Sequence, residues 1–135
     1  MALAQAGAGQ GDRATIVARL LTPLHALLTP RASLAYVEMP GAGLTLVEAV
    51  GVEEFRALSV APYTEPIIAA ALEHPDGVVT SPAGVTDFWR ALERAHGALT
   101  IAAVRLGPPR SAEALLLLAF RDVGSARDAA PTLAL

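Results

Sequence analysis

The chain contains no cysteine, no lysine and no asparagine, and only six of its 135 residues are aromatic. Without cysteine there are no disulfides, no thiolate metal sites, no thiol nucleophile and no thioether attachment of a chromophore. That usage fits the cytoplasm, the location expected here. Missing lysine removes Schiff-base chemistry and the lysine of a phosphate-binding loop. All ten basic residues are consequently arginine, a bias that a GC-rich genome explains more simply than selection for bidentate anion binding. With a formal charge of -3 and no clustered basic face, phosphates have no electrostatic reason to gather. Nucleic acid is therefore not an expected partner. Long hydrophobic runs are also missing: the apolar stretch after Arg13 carries Arg19, Pro23 and His25, and Leu115 to Leu118 is far too short to span a bilayer. The first basic residue follows a run of small residues, so the charged start and apolar core of a signal peptide are not seen. No membrane partner is expected.

What is abundant is aliphatic. Hydrophobic residues make up 53% of the chain, mostly Ala and Leu, enough for one domain with one aliphatic core. Residues 2–11 are Ala, Gly, Leu and Gln and read as a flexible tail. Gly7, Gly9 and Gly11 have no strand before them, which a phosphate-binding fingerprint requires. The single domain is placed over residues 12–135.

From Asp12 the pattern is helical. Ile16, Val17, Leu20, Leu21, Leu24, Leu27 and Leu28 recur at three- and four-residue steps, with Asp12 as cap. Pro23 is expected to kink this helix or restart it at Thr22, and Pro30 to stop it. Strands are predicted at 33–39 and 44–50, joined by a hairpin whose Gly41 and Gly43 supply positive φ. A helix over 65–73 with Thr64 as cap ends at His74, Pro75, Asp76 and Gly77. Val78 and Val79 form a short strand broken at Ser81 and Pro82. A helix follows from Thr86 or Asp87 to His96, stopped by Gly97. Two closing strands, 98–106 and 114–120, flank a Gly–Pro–Pro–Arg loop. The second is apolar on both faces and belongs in the centre of the sheet. The segment 125–135 begins like a capped helix, with Asp128 three residues after Ser125, and is interrupted at Pro131.

The order helix, hairpin, helix, short strand, helix, hairpin resembles that of GAF domains. SLAYVEMPGAGLTLVEAVGVEEFRALSVA is similar to the first GAF hairpin, PYTEPIIAAALEHPDGVVTS to the helix before the middle strand, and GALTIAAVRLGPPRSAEALLLLAFRD to the closing hairpin. The resemblance covers residues 12–122. It implies an α+β fold, a GAF-like (profilin-like) central antiparallel sheet of five or six strands with helices packed on it. It also implies a regulatory or sensory role in bacterial signal transduction. Related sheet-and-helix modules, PAS and roadblock-type domains, are the alternatives. The family's cysteine-dependent members, which reduce methionine sulfoxide or attach bilins covalently, find no counterpart here. The Asn, Lys, Phe, Asp and Glu signature of its cyclic-nucleotide binders cannot be assembled. What remains is a noncovalent small-molecule ligand of unknown identity, or a ligand-free scaffold.

Candidate chemistry is sparse. His25, His74 and His96 have no ligand spacing and are explained as surface and helix-end residues; a haem axial ligand is the alternative for His74 or His96. Glu53 and Glu54 diverge, and Glu73 and Asp76 flank a turn, so no pair of carboxylates converges. None of the five serines has a nucleophile-elbow frame. No enzyme activity and no metal are expected. Phe55, Tyr63, Phe88 and Trp89 are the residues expected around a cavity on one face of the sheet, and Arg105 is the charged group expected to meet an anionic ligand. A homodimer is expected through the leucine stripe of the first helix and the apolar C-terminus.

Overall fold

The computed structural model describes residues 10–52, 58–109 and 113–134. The described residues form four helices and six strands: α1 (Gln10–Leu28), β1 (Ala32–Met39), β2 (Gly43–Val50), β3 (Val60–Ala61), α2 (Pro66–Glu73), β4 (Val78–Pro82), α3 (Asp87–His96), β5 (Thr100–Leu106), β6 (Ala114–Phe120) and α4 (Val123–Leu133). The strands form one antiparallel sheet in the order β3-β2-β1-β6-β5-β4. The expected α+β class and central antiparallel sheet are both present.

Strand alternation divides the core in two, because successive side chains point to opposite faces. Leu34 and Tyr36 of β1, Ile101 and Ala103 of β5, and Leu115 and Leu117 of β6 face α2 and α3. Ala35 and Val37, Ala102 and Val104, and Leu116, Leu118 and Phe120 face α1 and α4. Helices thus cover both sides of the sheet, which is why β6 is buried along its whole length and lies centrally, as its sequence predicts. On the second face α1 packs against β1 and β2, whereas α4 packs against β4, β5 and β6.

Several boundaries differ from the sequence reading, each for a local reason. α1 starts at Gln10, within the stretch read as a tail; residues 1–9 lie outside the described residues. Pro23 sits inside α1 without dividing it, since its exposed position costs one backbone bond rather than the buried face. Pro131 is likewise inside α4, whose Leu133 is fully buried and extends the helix by its packing. The cap of α2 is Glu65 rather than Thr64, with Pro66 in the first helical position where its missing N–H costs nothing. The cap of α4 is Asp122, whose carboxylate accepts from the Ser125 N–H at 2.7 Å, not Ser125 itself. β4 continues through Ser81 and Pro82 because it is an edge strand, where a missing donor is tolerated. β3, two residues on the opposite edge, was not expected as a separate strand. The hairpin glycines behave as anticipated: Gly41 and Gly43 have φ of 76° and 74°.

Candidate functional site

Between the sheet and α2–α3, where a cavity was expected, the described residues pack into one apolar cluster. Trp89 and Tyr36 are fully buried there with Leu58, Ile68 and Leu92. Phe88 meets Trp89 edge-on at 4.8 Å between ring centroids and lies 6.4 Å from Tyr36, within the range of favourable aromatic pairs. The Tyr36 hydroxyl donates to the Leu58 carbonyl at 2.7 Å, and burial raises its pKa well above the usual tyrosine range.

A carboxylate organises this layer. Glu65, 5% exposed, accepts from the Trp89 indole N–H at 2.7 Å and from the Thr86 hydroxyl. It thereby ties the start of α2 to the start of α3, 24 residues further on. Gly84 makes room for the pair: a Cβ there would stand 2.8 Å from Trp89 Cδ1 and 3.3 Å from Glu65 Oε2. Glu65 escaped the sequence reading because nothing local marks a residue whose partner is so distant. The one available hint was its place immediately before the helix-starting Pro66.

Of the four residues expected around a cavity and the arginine expected to meet an anion, the described ones are placed apart. Phe88 and Trp89 are core residues, and Phe55 lies outside the described residues. Tyr63 is 46% exposed; its hydroxyl donates to Glu38 of β1, and partial burial with that hydrogen bond and the Glu38 charge pushes its pKa up to about 12. Arg105 is 5% exposed, and its guanidinium is already occupied. Nη1 donates to the carbonyls of Ala71 at 2.9 Å and His74 at 2.5 Å, and Nε to that of Gly107 at 2.9 Å. The carbonyls at a helix C-terminus lack intrahelical partners, so Arg105 completes the end of α2.

The histidines are similarly committed. His96 Nε2 bonds the Gly51 carbonyl at 2.7 Å, and His74 Nδ1 accepts from the Asp76 N–H at 3.1 Å. His25 Nδ1 lies 2.7 Å from the Ser33 hydroxyl, a contact the sequence did not suggest, and burial lowers the His25 pKa. This is a serine and a histidine in hydrogen-bond reach, but Ser33 is 0% exposed and joins α1 to β1. Glu53 and Glu54 lie outside the described residues. Among the described residues no three His, Asp or Glu side chains gather to hold a metal ion, and no helix is long and apolar enough to cross a membrane.

A cleft of about 510 Å³ is on the other face. One wall is the end of α1, with Leu27, Leu28 and Thr29. The opposite wall is α4, with Ser125, Asp128 and Ala129, and the base is Arg31, Phe120 and Arg121 at the adjoining ends of β1 and β6. A smaller pocket of about 250 Å³ lies at the end of α3 beside Gly51, Val52 and His96.

Two solved structures share this architecture. The cyanobacteriochrome TePixJ GAF domain aligns with a TM-score of 0.58 at 16% identity, over 97% of this chain and 91% of that one. The GAF domain/HD domain protein from Geobacter sulfurreducens aligns with a TM-score of 0.56 at 15% identity, over 96% and 93%. No family model matches the sequence, and no curated protein does. The chain has the GAF-like α+β fold.

Proposed function

We propose that this chain is a regulatory module of the sensory type in bacterial signal transduction. It takes up a small molecule noncovalently, or binds a partner, and relays that event through the packing of α1 and α4. The observation that carries this reading is the placement of those helices. They lie on one face of a GAF-like sheet, each over a different half, and the cleft of about 510 Å³ is walled by both. An occupant touching both walls favours one relative position of the helices, which is all that a population shift requires.

Catalysis is not part of the proposal. Its support is the commitment of the side chains: Ser33 is sealed, Glu65 is held by Trp89 and Thr86, and Arg105 by backbone carbonyls. We further propose a cytoplasmic homodimer. Val17, Leu21, Leu24 and Leu133 are buried in the chain's own core, so the subunit contact would rest on the half-buried members of the α1 stripe away from the cleft, Ile16 and Leu20. Sedimentation at micromolar concentration should show a dimer; a monomer removes this part.

A second reading, a ligand-free scaffold of the same fold, is favoured by the apolar packing of the described residues between the sheet and α2–α3. Native mass spectrometry of protein purified from its own host, set against the denatured mass, separates the two. The sensory reading expects a retained small molecule, and equal masses favour the scaffold.

A further inference from the structure

The cleft between α1 and α4 has a chemistry that narrows what it can hold. Its volume of about 510 Å³ falls in the range of small-molecule sites. Its apolar part comes from Leu27, Leu28, Phe120 and Ala129, and Leu27 is a large aliphatic side chain left 68% exposed. Arg121 pairs with Asp122, the cap of α4, at 3.4 Å. That leaves one guanidinium, Arg31, and one carboxylate, Asp128, both exposed, both lining the cleft, and neither with an ion-pair partner among the described residues.

The register explains why Arg31 is there. Ala32 pairs with Ala119, so Arg31 continues the ladder opposite Phe120, on the side of the sheet that α1 and α4 cover; its N–H bonds the Ala119 carbonyl at 2.7 Å. The α1 wall ends at Thr29 with φ of 52°, the one non-glycine residue with positive φ among those described. Glycine is the usual residue at such a helix end, and a β-branched residue held there is strained, a condition that concentrates at ligand clamps.

We propose that this cleft binds a zwitterion of the amino-acid type with an aliphatic or aromatic side chain. Arg31 receives the carboxylate, Asp128 receives the ammonium group, and Leu27, Leu28 and Phe120 cover the side chain. A simple anion would face the Asp128 charge and a simple cation the Arg31 charge, whereas a zwitterion satisfies both. The inference rests on the sensory reading and names the site and ligand class for it.

Isothermal titration calorimetry of the full chain tests it with L-leucine and L-phenylalanine. 4-Methylpentanoate, which lacks the ammonium group, and 3-methylbutan-1-amine, which lacks the carboxylate, are the controls. The expected result is binding of the amino acids, weakened about tenfold or more by either deletion in the ligand and by either Arg31→Ala or Asp128→Ala. Arg31→Ala should weaken 4-methylpentanoate but hold or tighten binding of the amine, whose like-charge repulsion it removes, a pairing that a general loss of structure would not produce. Both side chains are exposed, and unchanged circular dichroism of the variants checks that the fold is kept. The proposal is overturned if no amino acid binds at about 10 mM, if neither variant matters, or if 4-methylpentanoate binds as tightly as leucine. If it falls while native mass spectrometry still finds a retained molecule, the sensory reading stands without this site. If charge-dependent binding is found but α1 and α4 do not respond to it, the site stands and the relay falls.

Discussion

At Glu65 one nearly buried carboxylate serves both the indole of Trp89 and the hydroxyl of Thr86. Replacing it with Ala strands a buried N–H, and Glu65→Ala should lower unfolding free energy by about 1–3 kcal/mol in urea titrations. Glu65→Gln, which still accepts from the indole, should lose distinctly less. Arg105 makes the converse case, a buried cation that serves backbone carbonyls. Arg105→Met keeps the length but not the donors, and about 1.5–3 kcal/mol should be lost, with no change in the binding of any anion. His25 supplies a pH dependence. Burial lowers its folded pKa below the usual 6.5, so the unfolded chain binds a proton more readily. The contribution is complete above 6.5 and is lost as pH falls through 6.5 towards the folded value. The urea midpoint should therefore drop between pH 7.5 and pH 5.5, and His25→Gln should flatten that drop.

Among the elements, α4 depends most on a single cap. Asp122 accepts from the Ser125 N–H, and that bond is the first cause of its lowered pKa, followed by the Ser125 side chain and then by Arg121. Asp122→Ala should speed amide exchange over the first turn of α4 while leaving β5 and β6 protected. For the wild-type chain the same fraying should set in only below pH 3.8, because a depressed carboxylate pKa keeps its contribution until pH falls through the folded value. Elements of this kind show where sequence reading succeeds and where it stops. Hairpin glycines and the doubly apolar β6 carry their own signals, so those elements and the central place of β6 were legible. Pro131 was read as a break because its local cost is visible and the burial of Leu133 that offsets it is not. The site was less legible for the same reason. Arg105 stood out as a charge among apolar neighbours, but whether it meets a ligand or the carbonyls of α2 is decided by a helix more than 30 residues away in sequence. The cleft residues Arg31, Phe120 and Asp128 come together only through the β1–β6 register and the placement of α4.

For the molecule as a whole, the antiparallel sheet is shared by two layers with different tasks. In the α2–α3 layer Trp89, Tyr36 and Leu58 are fully buried against the sheet. The α1–α4 layer is divided, with a cleft between its helices, and the account assigns signal relay to that division. Amide hydrogen exchange with and without a bound small molecule tests this directly, since slowed exchange reports local stabilisation residue by residue. The account predicts slowing concentrated in the last turn of α1 and the first two turns of α4, with α2 and α3 little changed. Slowing confined to α2, α3 and β4, with α1 and α4 unaffected, would contradict it.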